Sequence, residues 1–252
     1  MKIDKMELSN KATAIRRKLG EDESSPIDVF SMAQMIPALT LVFYPLGNNI
    51  SGACLKNESS SIIAINSNNS LGRQRFTLAH ELYHYYFDEN IGSTVCSSEI
   101  NSGNIEEKKA DIFASYFLIP SASLYGLIRT YKRGEKRKLI YSEIIKLEQY
   151  FGVSHQAMLV RLRQEGEINA SELIKFQKGV VLTAARLGFD TSLYKSSPEY
   201  KKQNVLGHYI LQAERLLDDD KISEGKYEEL LLDAFRDDIV YGDESGGGEF
   251  ID

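Results

Sequence analysis

Two histidines four residues apart, with a glutamate beside the first, constrain this chain more than any other feature. They form the segment HELYH at residues 80–84. Apolar residues around them recur at helical spacing, and on a helix residues i and i+4 lie on the same face. His80 and His84 can therefore offer two imidazole nitrogens to one metal ion, and Glu81 can reach a water molecule bound to it. The pattern predicts a metal-dependent hydrolase.

A catalytic zinc site keeps three protein ligands and one open position, so the two histidines need a partner. The tenth residue after the first of them is Asn90, and the third histidine of the extended motif H-E-x-x-H-x-x-G-x-x-H is therefore absent. A helix predicted over residues 105–119 presents Glu107 and Asp111 on one face. We expect Glu107 to bind the metal and Asp111 to accept a hydrogen bond from the other ring nitrogen of a ligand histidine. Glu106 points about 100° away and is the weaker candidate.

Zinc fits two imidazoles and one carboxylate, and Mn²⁺ is compatible with the same donors. Glu81 is expected to take a proton from the attacking water and to deliver it to the leaving amine. His155 and His208 lack comparable partners and are expected to be structural or surface residues. An additional donor to the oxyanion is not identified, and the tyrosines close in sequence are candidates only: Tyr83, Tyr85, Tyr86 and Tyr116.

Composition favours a cytoplasmic protein. The chain has 252 residues, of which 42% are hydrophobic and 26% charged, as in ordinary globular proteins. The segment MKIDKMELSN at the start has no apolar run of the kind that signal peptides and membrane anchors carry. Two cysteines are too few for a disulfide scaffold and favour a reducing compartment. Cys54 lies in a strand-like run and is expected in the core, whereas Cys96 is expected in a polar loop, where a regulatory thiol is the less favoured alternative.

Charge is distributed unevenly along the chain. The net charge is −6, yet residues 218–252 alone carry 13 acidic and 3 basic residues. The most basic segment covers residues 129–138. It has no interleaved aromatic platform apart from Tyr131, so a solvated loop between helices is favoured over nucleic-acid binding.

Hydrophobic periodicity predicts an α+β fold that is mostly helical and has a small three-stranded sheet, followed by helical C-terminal elements. A helix is expected to begin at Ser25-Pro26, with serine as the N-cap and proline in the first turn. Another is expected at 121–131, capped by Ser121 or Ser123. The other predicted helices lie at 4–19, 141–151 and 155–164, together with a motif helix that begins near residue 70 and a helix marked by Leu206, Tyr209, Ala213 and Leu216. Strands are predicted at 39–44, 51–55 and 61–66. A polar loop is predicted at 92–104 and a linker at 190–202.

Four regions follow from this pattern. We expect a metallopeptidase core at 1–130 and, packed on it, a helical segment at 131–187 that contains a helix-turn-helix-like pair. A helical accessory module is expected at 188–240 and a disordered acidic tail at 241–252. The helix pair is equally consistent with simple helix packing.

The motif residues resemble the ImmA/IrrE family of metallopeptidases. The resemblance rests on RQRFTLAHELYH at 73–84 and on Glu107-x-x-Ala110-Asp111-x-Phe113-Ala114, a helix that ends at Leu118-Ile119-Pro120. It extends to the strand pair around 51–53 and 62–66 and to the helical segment at 151–162, so that it covers about residues 25–165.

This resemblance implies a thermolysin-like zinc core and a class of substrate. It implies cleavage of a Cro/cI-type helix-turn-helix repressor, often encoded beside the protease, which derepresses a mobile element, a prophage or a stress regulon. The alternative is a protein without catalytic activity, in which the metal stabilises the fold and the chain holds a DNA-binding regulator as in toxin–antitoxin pairs. Direct binding of nucleic acid is a third and weaker hypothesis, and no membrane association is expected.

Overall fold

The computed structural model describes residues 3–88, 92–97 and 104–242, and over these ranges the chain has an α+β fold. The strands are β1 (Leu39–Tyr44), β2 (Ile50–Lys56), β3 (Ser61–Asn66), β4 (Gly92–Ser97) and β5 (Asn204–Gly207). The helices are α1 (Lys5–Lys18), α2 (Val29–Gln34), α3 (Leu71–Phe87), α4 (Ile105–Leu118), α5 (Ser121–Lys132), α6 (Tyr141–Phe151), α7 (His155–Gln164), α8 (Ala170–Phe176), α9 (Val180–Arg186), α10 (His208–Asp218), α11 (Glu224–Asp233) and α12 (Asp237–Tyr241).

The strands form one mixed sheet in the order β4-β2-β3-β1-β5. β1 and β3 run parallel, with Leu41 opposite Ile63, and the other neighbouring pairs are antiparallel. β-branched and aromatic residues favour these two strands. Their buried side chains share one apolar core with Leu78 and Leu82 of α3. Each fully buried leucine contributes about 1.5–3 kcal/mol, so the sheet holds α3 firmly in place.

The first half of α3 is fixed against the turn between α6 and α7. The guanidinium of Arg75 donates hydrogen bonds to the carbonyl oxygens of Gly152 at 2.8 Å and Ile27 at 2.5 Å. A Cβ atom at Gly72 would lie only 2.6 Å from the backbone nitrogen of Ser154, so only glycine allows the two backbones to approach this closely. These contacts set the position of the motif helix.

The predicted α+β class is confirmed, but within the described ranges the sheet has five strands instead of three. β4 lies within the stretch at 92–104 that was predicted as a polar loop, and β5 contains Leu206, which was predicted to be helical. Both segments are short and lack a run of alternating apolar residues. They become strands because they pair with β2 and β1, and such long-range partners leave no local signal in the sequence.

Two predicted helix starts are also wrong. The side chain of Asp28, not that of Ser25, caps α2 by accepting a hydrogen bond from a backbone N–H of its first turn. The N-cap of α5 is Pro120 and no side chain caps it, so neither Ser121 nor Ser123 has that role. An N-cap depends on the backbone dihedral angles as well as on the type of residue, and several acceptors compete at each start.

The predicted pair of helices at 141–164 exists, but its second helix is largely buried. α7 exposes only Gln156 and Arg163, and the buried side chains are Ala157, Met158, Leu159, Arg161 and Leu162. A DNA-recognition helix has to present its side chains to the groove. The burial of α7 therefore favours the alternative of simple helix packing.

The basic segment at 129–138 begins on α5 and continues into the loop that follows, so it is only partly the predicted loop. Three of its cations have anionic partners. These ion pairs are Lys132–Glu167, Arg137–Glu143 at 2.5 Å and Lys138–Glu172 at 3.2 Å. Cations held in this way are less available to phosphate groups, which agrees with the preference for a non-binding loop.

The predicted linker at 190–202 contains two 3-10 helices, Ser192–Tyr194 and Glu199–Lys201, and contacts the start of α3 through a hydrogen bond from Leu71 N–H to Lys195 O at 2.8 Å. Most of the predicted acidic tail, residues 243–252, lies outside the described residues. The four predicted regions stay predictions.

Within the part of the chain that is described, no single helix is long and apolar enough to cross a membrane. Only α4 and α5 together, bent by 59°, reach such a length and composition.

Candidate metal centre

The two motif histidines lie in the buried middle of α3. Because they are four residues apart, their rings point the same way, and the two Nε2 atoms are 3.2 Å from each other. The exposed fractions of the side chains are 8% for His80 and 2% for His84. Two ring nitrogens that converge in a buried site are suited to bind one cation.

Glu107 completes this group from the first turn of α4. The side chain of Asn104 caps that helix by accepting hydrogen bonds from the N–H groups of Glu106 and Glu107 at 2.8 and 3.1 Å. One carboxylate oxygen of Glu107 lies 3.3 Å from His80 Nε2, and the other lies 3.4 Å from His84 Nε2. Tetrahedral zinc with bonds of about 2.0–2.1 Å separates its nitrogen and oxygen ligands by roughly 3.3 Å. The donor types and their spacing therefore fit a metal such as zinc.

A carboxylate holds the other ring nitrogen of each histidine. Asp111 Oδ1 lies 2.8 Å from His80 Nδ1. The sequence predicted such a contact with a ligand histidine but did not specify which of the two. Asp88 Oδ2 lies 2.7 Å from His84 Nδ1. Such partners fix the tautomer so that Nε2 is free to bind a metal. Burial by itself lowers the pKa of His80, but hydrogen bonds with Asp111 and Glu107 outweigh burial and raise the pKa to about 10 in the metal-free site.

Glu81 is fully buried next to this group. Apart from a contact with the Cys96 thiol, neither carboxylate oxygen has a hydrogen-bond partner among the described residues. Burial raises the pKa of Glu81 to about 7. β2 passes directly beside it, because a Cβ atom at Gly52 would be 2.9 Å from Glu81 Oε1 and 2.6 Å from Cγ2 of Thr77. Glycine at position 52 thus leaves room for the carboxylate.

Cys96 is a further member of the cluster. The expectation of a polar loop is wrong for this residue, which is buried on β4 with 2% of its surface exposed. Donor atoms of His80, His84, Cys96 and Glu107 all lie within 4.8 Å of one another. Burial, reinforced by the charge of Glu81, raises the pKa of the Cys96 thiol above its usual value. The metal-free protein therefore holds this thiol protonated.

Three residues near the centre were not predicted from the sequence. Asp88 was not singled out from the sequence, although its position four residues after His84 places it on the same face. Arg73 is partly buried on α3 and donates to Ser51 Oγ at 3.0 Å. Burial lowers the pKa of Arg73, and the nearby charge of Asp111 partly offsets that effect. Cys96, the third, had no recognisable ligand spacing because it arrives on a separate strand.

Other residues considered from the sequence have different contacts. Glu106 forms an ion pair with Lys109 at 2.8 Å and accepts a hydrogen bond from the hydroxyl of Tyr83 at 3.3 Å. His155 was expected to lack partners, yet its ring contacts the buried carboxylate of Glu148 at 2.7 Å and the carbonyl oxygen of Phe176 at 2.7 Å. It links α6, α7 and α8, which agrees with the expected structural role.

The family of the chain follows from comparison with known proteins. Residues 38–163, half of the chain, match the family model Peptidase_M78, described as the IrrE N-terminal-like domain. The matched segment contains β1 to β4, the motif helix α3 and the Glu107 helix α4. The chain therefore belongs to the Peptidase_M78 family. A separate comparison with curated proteins found no match.

Proposed function

We propose that this chain is a zinc-dependent endopeptidase in which His80, His84 and Glu107 hold the metal and Glu81 is the catalytic base. The observation that carries the proposal is the convergence of three side chains whose ligand atoms lie 3.2–3.4 Å from their nearest counterparts, beside a buried carboxylate. Membership in a peptidase family supports the type of reaction. Mn²⁺ is compatible with the same donors.

Each protein group around the centre has a separate chemical role. A bound metal ion supplies Lewis-acid chemistry at the attacking water and the scissile carbonyl. Glu81 takes the proton of the attacking water and donates it to the leaving nitrogen, for which a pKa near neutrality is suited. Asp111 and Asp88 hold the two imidazole rings so that Nε2 of each faces the ligand cluster. The surrounding burial excludes bulk water.

For the substrate we propose a helix-turn-helix repressor of the Cro/cI type, encoded near this chain, whose cleavage derepresses a mobile element, a prophage or a stress regulon. This part of the proposal is supported by the resemblance of residues 25–165 to the ImmA/IrrE family. The burial of α7 and the ion pairs of the basic segment argue that the chain acts on such a regulator without binding DNA itself.

Cleavage of the neighbouring repressor tests the proposal. The zinc-loaded protein is incubated with the helix-turn-helix protein encoded beside it, and fragments are identified by mass spectrometry. We expect one dominant cut in the repressor, and no cut with a chelator or with the Glu81→Gln variant. A repressor that stays intact but co-purifies with the chain would instead favour the alternative, a regulator-holding protein stabilised by its metal.

Proton release tests the metal site independently of any substrate. The pKa of His80 in the metal-free protein is about 10, so this ring carries a proton at pH 7 that a metal has to displace. We expect at least one proton released per zinc bound and an apparent affinity that rises at least about tenfold per pH unit up to about pH 10. Titration calorimetry in buffers of different ionisation enthalpy measures this number. Zinc binding with no proton released would contradict the assignment of His80.

A further inference from the structure

One edge of β2, the strand that passes beside Glu81, is covered by the chain's own strand β4. β2 has β3 on one side, and on the other side β4 pairs with it antiparallel. An extended peptide that adds to a sheet uses the main-chain groups of a free edge. Because β2 passes within contact distance of Glu81, a peptide bound along this edge would bring its backbone to the catalytic base. β4 occupies that position.

The register of this pairing places Cys96 at the metal cluster. Cys96 is the partner of Gly52, the β2 residue whose missing side chain leaves room for Glu81. Directly opposed residues of antiparallel strands project to the same face of the sheet. The thiol therefore points to the side on which Glu81 lies, in agreement with its place within 4.8 Å of the other ligand atoms.

We propose that Cys96 is the fourth ligand of the metal and that β4 keeps the active site closed as an internal strand in the place of substrate. The proposal rests on the metal site of the proposed function. Zinc sites with four protein ligands are closed structural sites, whereas catalytic sites keep one position open for water. Tetrahedral bonds of about 2.3 Å to sulfur and 2.0–2.1 Å to nitrogen separate these ligand atoms by roughly 3.5 Å. In the structure, the ligand atoms of the four side chains lie within 4.8 Å of one another, little more than 1 Å beyond that separation.

The buried carboxylate of Glu81 is a second observation at this place. Apart from the Cys96 thiol, its oxygens have no hydrogen-bond partner among the described residues, although the side chain is fully buried. A carboxylate in that setting is suited to a ligand that arrives later, such as the attacking water. When the Cys96 sulfur occupies the fourth position, the attacking water cannot bind there, and Glu81 has no water to deprotonate. Displacement of β4 removes the sulfur and frees the edge of β2 in one movement.

Cobalt spectroscopy tests the proposal. Purified full-length protein is loaded with Co²⁺, and absorption spectra are compared for the wild type and for Cys96→Ser, Cys96→Ala and Cys54→Ser. Cys54 is the matched control, since it is a buried cysteine on the adjacent strand β2 outside the ligand cluster. We expect a thiolate-to-cobalt charge-transfer band in the near ultraviolet for the wild type and Cys54→Ser. Both Cys96 variants lose this band, and their affinity for Co²⁺ falls by at least about tenfold.

The outcomes separate this proposal from the proposed function. Visible bands of bound Co²⁺ without a charge-transfer band in the wild type overturn the role of Cys96 and leave the three-ligand site intact. Failure of the wild type to bind Co²⁺ overturns the metal site itself. Circular dichroism checks that each variant is folded. Agreement between Cys96→Ser and Cys96→Ala shows that the loss of the thiol, and not the hydroxyl introduced by serine, causes the change. In the repressor cleavage assay, Cys96→Ala is expected to cut faster than the wild type, and equal rates contradict closure by the Cys96 sulfur.

Discussion

Replacement of Glu81 by glutamine is expected to reduce peptide cleavage by about 10²- to 10⁴-fold, the usual contribution of a general base. Glutamine has nearly the same shape but cannot accept the proton. Glu81 does not belong to the cluster of metal-ligating side chains, so the variant is expected to retain its metal. Initial cleavage rates and metal content per chain, measured on the same preparation, give the two halves of this result.

Glu106→Gln is the matched control for this experiment. Glu106 is also a glutamate close to the centre, but it pairs with Lys109 and Tyr83 and not with the ligand cluster. We expect it to keep most of the wild-type activity. A Glu81→Gln protein with full activity would falsify the proposed mechanism. A variant that loses both activity and metal would show that Glu81 acts on the ligands.

The same glutamate gives the cleavage reaction a dependence on pH. Burial raises the pKa of Glu81 to about 7 in the metal-free site, and the positive charge of a bound metal lowers it from there. The base has to be ionised, so activity falls as the pH drops through this pKa. We expect the acidic limb of the wild-type pH profile at or below pH 7. The residual activity of Glu81→Gln is expected to lack that limb.

Replacement of His84 by alanine is expected to remove both the metal and the activity. The loss of an outer partner such as Asp111 already costs about 10- to 100-fold in metal affinity, and the loss of a direct ligand costs more. In the wild type, zinc at 1,000 times its dissociation constant adds about 4 kcal/mol to the free energy of unfolding. The His84→Ala variant is expected to lose most of this gain. Thermal unfolding with and without zinc measures it directly.

His208→Ala is the control for this second variant, because it removes a histidine of α10, outside the ligand cluster. We expect its zinc-dependent stabilisation to equal that of the wild type. The metal-free His84→Ala protein also has to show a cooperative unfolding transition, which separates a lost ligand from a lost fold. A zinc-dependent shift of wild-type size in His84→Ala contradicts its assignment as a ligand.

Local periodicity accounts for most of what could be predicted. Strands β1 and β3 and helices α3, α4, α6 and α7 have the expected places, since each has an apolar pattern that repeats over two or more turns or along a strand. The start of α2 was misplaced, because Ser24, Ser25 and Asp28 are all of residue types that favour the N-cap position. The sequence does not show which of them has the required backbone conformation.

The sequence by itself determined which residues share a face. The helical repeat of 3.6 residues places His80 over His84 and Glu107 over Asp111, whatever surrounds these helices. Only the tertiary structure decided how far apart the two helices lie, and therefore that the ligand atoms stand 3.2–3.4 Å from one another.

Tertiary structure alone also decided the place of Cys96. Strand pairing joins residues distant in sequence, and a shift of one residue in the register of β4 would turn this side chain to the opposite face. No local pattern specifies that register. The position of the thiol beside Glu81 is thus a property of the folded sheet, whereas the ligand pair of α3 is already fixed by the spacing of two histidines along the chain.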